Sequence, residues 1–140
     1  MTVKYRFIDR TEHPRATQFY ADHGWPNREI ASDSVLVAEE DSNIIGVVRL
    51  APENGTLVLR GMQIATPRQR EGIGKRMLSK LSEKIGTQEC FCVPYTHLIS
   101  FYGTIGFKEI NPAIAPMFLQ DRLANYLKKD PNMVIMKTGL

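Results

Sequence analysis

Apolar residues recur along this chain with two different periods, and the change from one to the other marks out its elements. Tyr5-Arg6-Phe7-Ile8-Asp9 alternates enough for a short strand, and Pro14 through Asp22 then reads as a helix, with Pro near its start and Gly24 just past its end. Ser34–Glu39 and Asn43–Leu50 are β-rich runs joined by a polar stretch, the spacing of a hairpin, and a longer run follows at Thr56–Ile64. Gly61 inside that last run predicts a bulge or a close backbone approach. After Thr66-Pro67 the period changes: apolar residues at 73, 77, 78, 81 and 85 give a helix that ends at Gly86 and keeps Lys75, Arg76, Lys80 and Lys84 off its apolar stripe. Glu89–Val93 is a short strand stopped by Pro94, and Leu98, Phe101, Tyr102 and Ile105 return to helical spacing before Gly106. A strand over Phe107–Ile110, a helix from about Met117 to Lys128 and a last strand over Met133–Met136 complete the chain. The order predicts a mixed α/β domain, antiparallel in its first half with β-α-β steps in the middle.

At 140 residues the chain has the size of one domain, 1–140, and the even spread of turn residues offers no boundary inside it. With 43% apolar and 24% charged residues it can bury a core, yet it has no apolar run long enough to span a bilayer, so no membrane role is expected. The first residues carry charge among β-formers and no apolar signal region, and the protein is read as cytoplasmic. Cys90 and Cys92 are expected on opposite faces of their strand, a poor geometry for a mutual disulfide. His13, His23 and His97 are scattered, and no metal site is expected. A net charge of +3 permits an anionic ligand without requiring nucleic acid, and no aromatic residues interleave the basic helix to stack bases.

Between the third run and its helix lies Gln69-Arg70-Glu71-Gly72-Ile73-Gly74-Lys75. A helix start of this kind presents unpaired N–H groups where the macrodipole favours an anion, and the two glycines let backbone come close. Arg68, Arg70 and Lys75 add mobile positive charge, so a pyrophosphate is a natural guest, although two glycines can equally serve only to cap and pack a helix. The loop is no Walker A, because Gln69 and Arg76 replace the required Gly and Ser or Thr. It is no dinucleotide fingerprint either, because Met77 stands at the third glycine.

Gln69-x-x-Gly72-x-Gly74 after a strand resembles the phosphate loop of the GNAT superfamily of acyl-coenzyme A N-acyltransferases. Phe101-Tyr102-Gly103-Thr104-Ile105-Gly106-Phe107 is similar to that family's second signature. The resemblance implies a central, mixed, mostly antiparallel sheet of six or seven strands flanked by about four helices, with strands splayed at a cofactor cleft. It implies acetyl-CoA as co-substrate, with backbone groups of Met62 and Ile64 bonding the acyl carbonyl and pantetheine. Gln69, Arg70, Glu71, Gly72, Ile73, Gly74 and Lys75 would wrap the pyrophosphate, the Met62 N–H would stabilise the oxyanion, and Tyr102 would act as general acid toward the leaving thiolate. Tyr102 also fits as plain packing in its apolar stripe. The implied reaction is N-acetylation of a primary amine on a small molecule or peptide, and family habit slightly favours a homodimer. Val58 occupies the position where the protein-lysine branch carries its glutamate, which counts against histone-type acetylation and leaves an acyl-CoA-binding module without turnover as the alternative. Tyr95 stands where many members carry asparagine. Glu39, Glu53 and His97 are candidates for a proton relay, none of them assigned as base. An acyl-cysteine intermediate on Cys90 or Cys92 is not expected. Acceptor choice is expected from the segments 24–34 and 111–117, with Trp25, Arg28 and Glu29 foremost.

Overall fold

The computed structural model describes residues 2–139. Its elements follow the order β1 (Lys4–Ile8), α1 (His13–Asp22), β2 (Ser34–Glu40), β3 (Asn43–Glu53), β4 (Thr56–Ile64), α2 (Ile73–Ile85), β5 (Cys90–Cys92), α3 (Ile99–Gly103), β6 (Lys108–Glu109), α4 (Met117–Leu127) and β7 (Met136–Thr138). The strands form one seven-stranded sheet in the order β1-β2-β3-β4-β5-β7-β6. Every neighbouring pair is antiparallel except β4 and β5. A parallel pair needs a crossover, and α2 supplies it. No helix among the described residues is long and apolar enough to cross a membrane.

Helices cover both faces, which explains why β2 reads as a continuous apolar run rather than an alternating one. On one face Met77, Leu78 and Leu81 of α2 pack on Leu36, Val48, Leu50 and Leu59. On the other, Ala16, Phe19 and Tyr20 of α1 lie on Val35, Val37 and Val47, while Leu119 and Leu123 of α4 lie on Val58, Phe91 and Ile135. The two helical layers therefore define an α2 side and an α1/α4 side of the sheet.

The expected elements are all present, with two corrections. The last strand is Met136–Thr138 rather than Met133–Met136. Residues 133–135 stay outside the ladder: the Val134 N–H donates to the Pro94 carbonyl, the Ile135 carbonyl accepts from the Ile110 N–H, and Met133 makes only an isolated bridge to Tyr95. Their apolar character reflects burial, and Ile135 is fully buried. The strand β7 is bonded to β5 and β6, and the edges of the sheet are β1 and β6. Finally, Cys90 and Cys92 face the same way, into the α2-side cluster, with Phe91 turned to the other side. A strand repeats every two residues, so positions two apart share a face. Both thiols are free.

Candidate active site

The parallel pair β4–β5 is joined only at Leu57↔Cys90 and Val58↔Phe91. Beyond Val58, β4 continues six residues to Ile64, while the chain after Cys92 reaches Pro94, which cannot donate to a ladder. The two strands part, leaving a cavity of about 390 Å³ lined by Leu59–Gln63 on one arm and Cys92–Tyr95 on the other, with Tyr102 beside them.

Within that gap β4 is bulged. Val47 pairs with Gln63 and Arg49 with Arg60, so three steps on β4 oppose two on β3, and Gly61 and Met62 have no register partners there. Gly61 has φ +67°, and a Cβ at that position would lie 2.6 Å from the Tyr20 hydroxyl and 2.9 Å from Arg49 Nη2. Both conditions demand glycine. The expected bulge at Gly61 is thus present, and a buried side-chain chain fixes it from the α1 side. Asp33 Oδ2 accepts from Arg49 Nη1 at 2.7 Å, Arg49 Nε donates to the Tyr20 hydroxyl at 3.2 Å, and that hydroxyl donates to the Gly61 carbonyl at 2.6 Å. The Arg49 and Asp33 side chains are only 5% and 9% exposed. Burial pushes the Tyr20 phenol up to about 12, against the opposing pull of Arg49, so it remains a donor.

The loop after β4 is built mainly from backbone. Gly72 precedes α2 with φ +81°, and no side chain caps the helix or places an acid in its first turn. Its positive end is therefore left without a side-chain partner. Gly74 lies under Phe101, where a Cβ would approach the ring to 3.1 Å. Gln69 does a local job: its Nε2 donates to the Ile64 carbonyl at 3.0 Å, and the Gln63 amide donates to the same oxygen at 3.3 Å. Arg68 is not mobile, contrary to expectation. It is held by Glu40 at 2.6 Å and Glu71 at 3.0 Å, and Arg68 lowers the Glu40 carboxyl from its ordinary value. Arg70 and Lys75 are exposed and form no ion pair with a described residue.

Tyr102 is 5% exposed and sits edge-on to Phe101 and Phe107 with centroids at 5.0 and 6.1 Å. Its ring is thus part of the core, as its stripe suggested. Its hydroxyl, however, has no hydrogen-bond partner among the described residues, and the side chain lines the gap. Burial raises its pKa from the ordinary phenol value, with smaller contributions from Cys92 and Tyr20. Burial also pushes the Cys90 thiol up to about 12 and the Cys92 thiol well above its ordinary value, so both stay protonated and poorly nucleophilic.

The relay candidates lie elsewhere. Glu39 is held by Arg6 at 2.6 Å and Arg15 at 2.9 Å, Glu53 by Arg122 at 2.6 Å, and His97 stacks on Tyr95 with centroids 5.5 Å apart. None of the three lines the cavity, whereas Tyr95, Trp25 and Arg28 do. Asp130 is the one carboxylate lining it among the described residues. The sequence reading missed Tyr20, Asp33, Arg49, Arg60 and Arg122. Arg49 alone left a signal, a cation inside the apolar run Val47-Val48-Arg49-Leu50-Ala51.

The sheet thus parts at its single parallel pair, and the helix that follows β4 starts without a side-chain cap. The model of the acetyltransferase (GNAT) domain matches residues 31–109, more than half of the chain, which therefore belongs to the GNAT acetyltransferase family and is an acyltransferase. A search of curated protein sequences found no match. Among solved structures, N-acetylglutamate synthase from Neisseria gonorrhoeae, complexed with coenzyme A and N-acetyl-glutamate, is 18% identical with a TM-score of 0.66 over 99% of this chain. This chain spans 35% of that synthase's length. The ribosomal-protein-S18-alanine N-acetyltransferase of Escherichia coli is 14% identical with a TM-score of 0.69, covering 98% of this chain and 93% of that one. A GNAT-family acetyltransferase from Streptococcus pneumoniae is 11% identical with a TM-score of 0.72, over 98% of each chain. At these identities the likeness is one of fold.

Proposed function

We propose that this chain is a single N-acetyltransferase domain that moves an acetyl group from acetyl-CoA to a primary amine of a small molecule or peptide by direct attack. The observation that carries this reading is the Tyr102 hydroxyl, which lines the gap without a protein partner although its ring is buried. A hydroxyl that is bound to no protein group, on a ring otherwise packed in the core beside the gap, is free to give its proton to a reacting atom there.

The chain's residues fit such a co-substrate. The gap beside β4 admits an extended chain, the open end of α2 with Arg70 and Lys75 suits a pyrophosphate, and Gly72 and Gly74 keep the approach clear. Gln69, Glu71 and Ile73 belong to the same wrap, Gln69 through its tie to Ile64. Because the Ile64 carbonyl already accepts from two side chains, Ile64 would serve the pantetheine through its N–H. Acetyl-CoA supplies an activated acyl group and a thiol leaving group. Met62, freed from β3 by the bulge, offers its N–H where negative charge develops on the acyl oxygen. Tyr102, raised by burial, stays protonated and gives its proton to the departing sulfur. The same desolvation raises a thiolate in that gap from its ordinary ~8.5, so donor and acceptor shift together. The acceptor must arrive as a neutral amine, and no residue is assigned as its base. Val58, buried against Phe91, cannot take that part.

The test is acetyl transfer from acetyl-CoA to a broad amine panel, read by thiol release and product mass. Product formation in the wild type, with turnover strongly reduced in Tyr102→Phe, is expected. Tight acetyl-CoA binding without turnover on any amine would instead favour a binding module.

A further inference from the structure

The α1/α4 side of the cavity carries more positive charge than the fold uses. Five basic side chains line it there, namely Arg28, Arg49, Arg60, Arg122 and Lys129. Arg49 is matched by Asp33 at 2.7 Å. Arg60 and Arg122 share one carboxylate, Glu53, at 3.6 and 2.6 Å. Asp130 stands near Lys129 in the chain and already accepts from the Asn132 N–H at 2.8 Å. Arg28 has no hydrogen bond or ion pair with any described residue, and its Nε is shielded from solvent without a partner. Its guanidinium lies over the Trp25 ring, 5.0 Å from the centroid.

A phosphate of the co-substrate does not account for this charge. The open helix end, Arg70 and Lys75 lie on the α2 side, whereas Arg60 and Arg122 lie on the opposite side, against α4. A guanidinium with a buried, unpaired Nε–H and Nη groups that bond no described residue is matched by a carboxylate, which can take two parallel hydrogen bonds. The half-exposed Trp25 ring beside it offers an apolar shelf for a carbon skeleton.

We propose that the acceptor is an amino acid-like amine whose carboxylate is seated against Arg28, with the Arg60–Arg122 pair adding to the field. This rests on the acetyltransferase reading and goes beyond it by fixing the chemical class of the acceptor. The Arg28 fork holds the carboxylate, and the amine on the same molecule is thereby directed toward the gap between β4 and β5.

The experiment compares acetylation of the twenty protein amino acids with that of their carboxamides and decarboxylated amines. It uses wild type, Arg28→Gln and Arg60→Gln, with acetyl-CoA binding followed by calorimetry in each. In the wild type at least one amino acid is expected to exceed both of its uncharged counterparts by about tenfold or more in kcat/KM. That preference should collapse to within about twofold in Arg28→Gln through KM, and shrink less in Arg60→Gln, while both variants still bind acetyl-CoA. Carboxamides or simple amines used as well as the acids, or a preference that survives Arg28→Gln, overturns the acceptor proposal and leaves the enzyme intact. Absence of turnover with these compounds, beside turnover of another amine in the broad panel, overturns the acceptor proposal alone, and absence of turnover across that whole panel, beside normal acetyl-CoA binding, overturns the transferase reading and the acceptor with it.

Discussion

The two sides of the parted strands are made in different ways. On the α2 side the loop from Gln69 to Lys75 works through backbone: an uncapped helix start, a left-handed Gly72 and a glycine under Phe101. On the α1/α4 side everything is done by side chains drawn from distant segments. Asp33, Arg49 and Tyr20 hold the Gly61 carbonyl, and Glu53 gathers Arg60 and Arg122. A backbone site needs only a few fixed residues and tolerates variation at the rest, whereas a side-chain site depends on each member and can be specific for a given acceptor. In the proposed reading the shared donor would bind on the first side and the particular acceptor on the second.

Substitutions should separate the two sides by effect. Tyr102, between them, should give the largest loss: Tyr102→Phe is expected to lower kcat by ~10²–10⁴-fold with little change in acetyl-CoA affinity, as steady-state kinetics beside calorimetry would read. A kcat within threefold of wild type would remove its role as acid. Next comes Arg49→Met, which strands the buried Asp33 carboxylate and is expected to cost about 3–5 kcal/mol in urea unfolding. A loss below about 1 kcal/mol would mean that Asp33 finds another partner and the chain behind the bulge is not rigid. Tyr20→Phe removes only the hydroxyl on the Gly61 carbonyl, and a stability loss of about 1–3 kcal/mol is expected with a lowered kcat. An unchanged kcat would show that the bulge holds without it.

The smallest effect is a pH dependence. Because burial raises Tyr102 above the ordinary phenol value of 10.0, its protonated form persists through that pH, and the acid role should not fail below it. An alkaline limb in kcat at or below pH 10 that disappears in Tyr102→Phe would contradict that environment.

What could be read from the chain follows the same division. The Gly72 and Gly74 spacing, the Phe101-Tyr102 pair and the bulge at Gly61 are local patterns, so the α2 side and the general acid candidate were legible. The strands were legible because both faces are covered and their runs are long. The α1/α4 side was not, since Asp33 to Arg49 or Glu53 to Arg122 is a contact between segments 16 and 69 residues apart, which no period or spacing encodes. Arg28 could be named as a loop cation, but that it has no partner only emerges from the packed structure. The last strand misled because Met133 and Ile135 are apolar for packing with α4 and Val134 for packing on the α2-side cluster, while the ladder forms one step later, at Met136.

The most direct test of the account is calorimetric titration of the chain with acetyl-CoA, beside an Arg70→Glu/Lys75→Glu variant. Neither side chain supports the fold through an ion pair, so the variant should melt like the wild type. The account predicts micromolar binding by the wild type, weakened about tenfold or more when both charges at the helix start are reversed. A folded wild type that binds no acetyl-CoA, or a variant that binds it equally well, would contradict the assignment of this loop to the pyrophosphate.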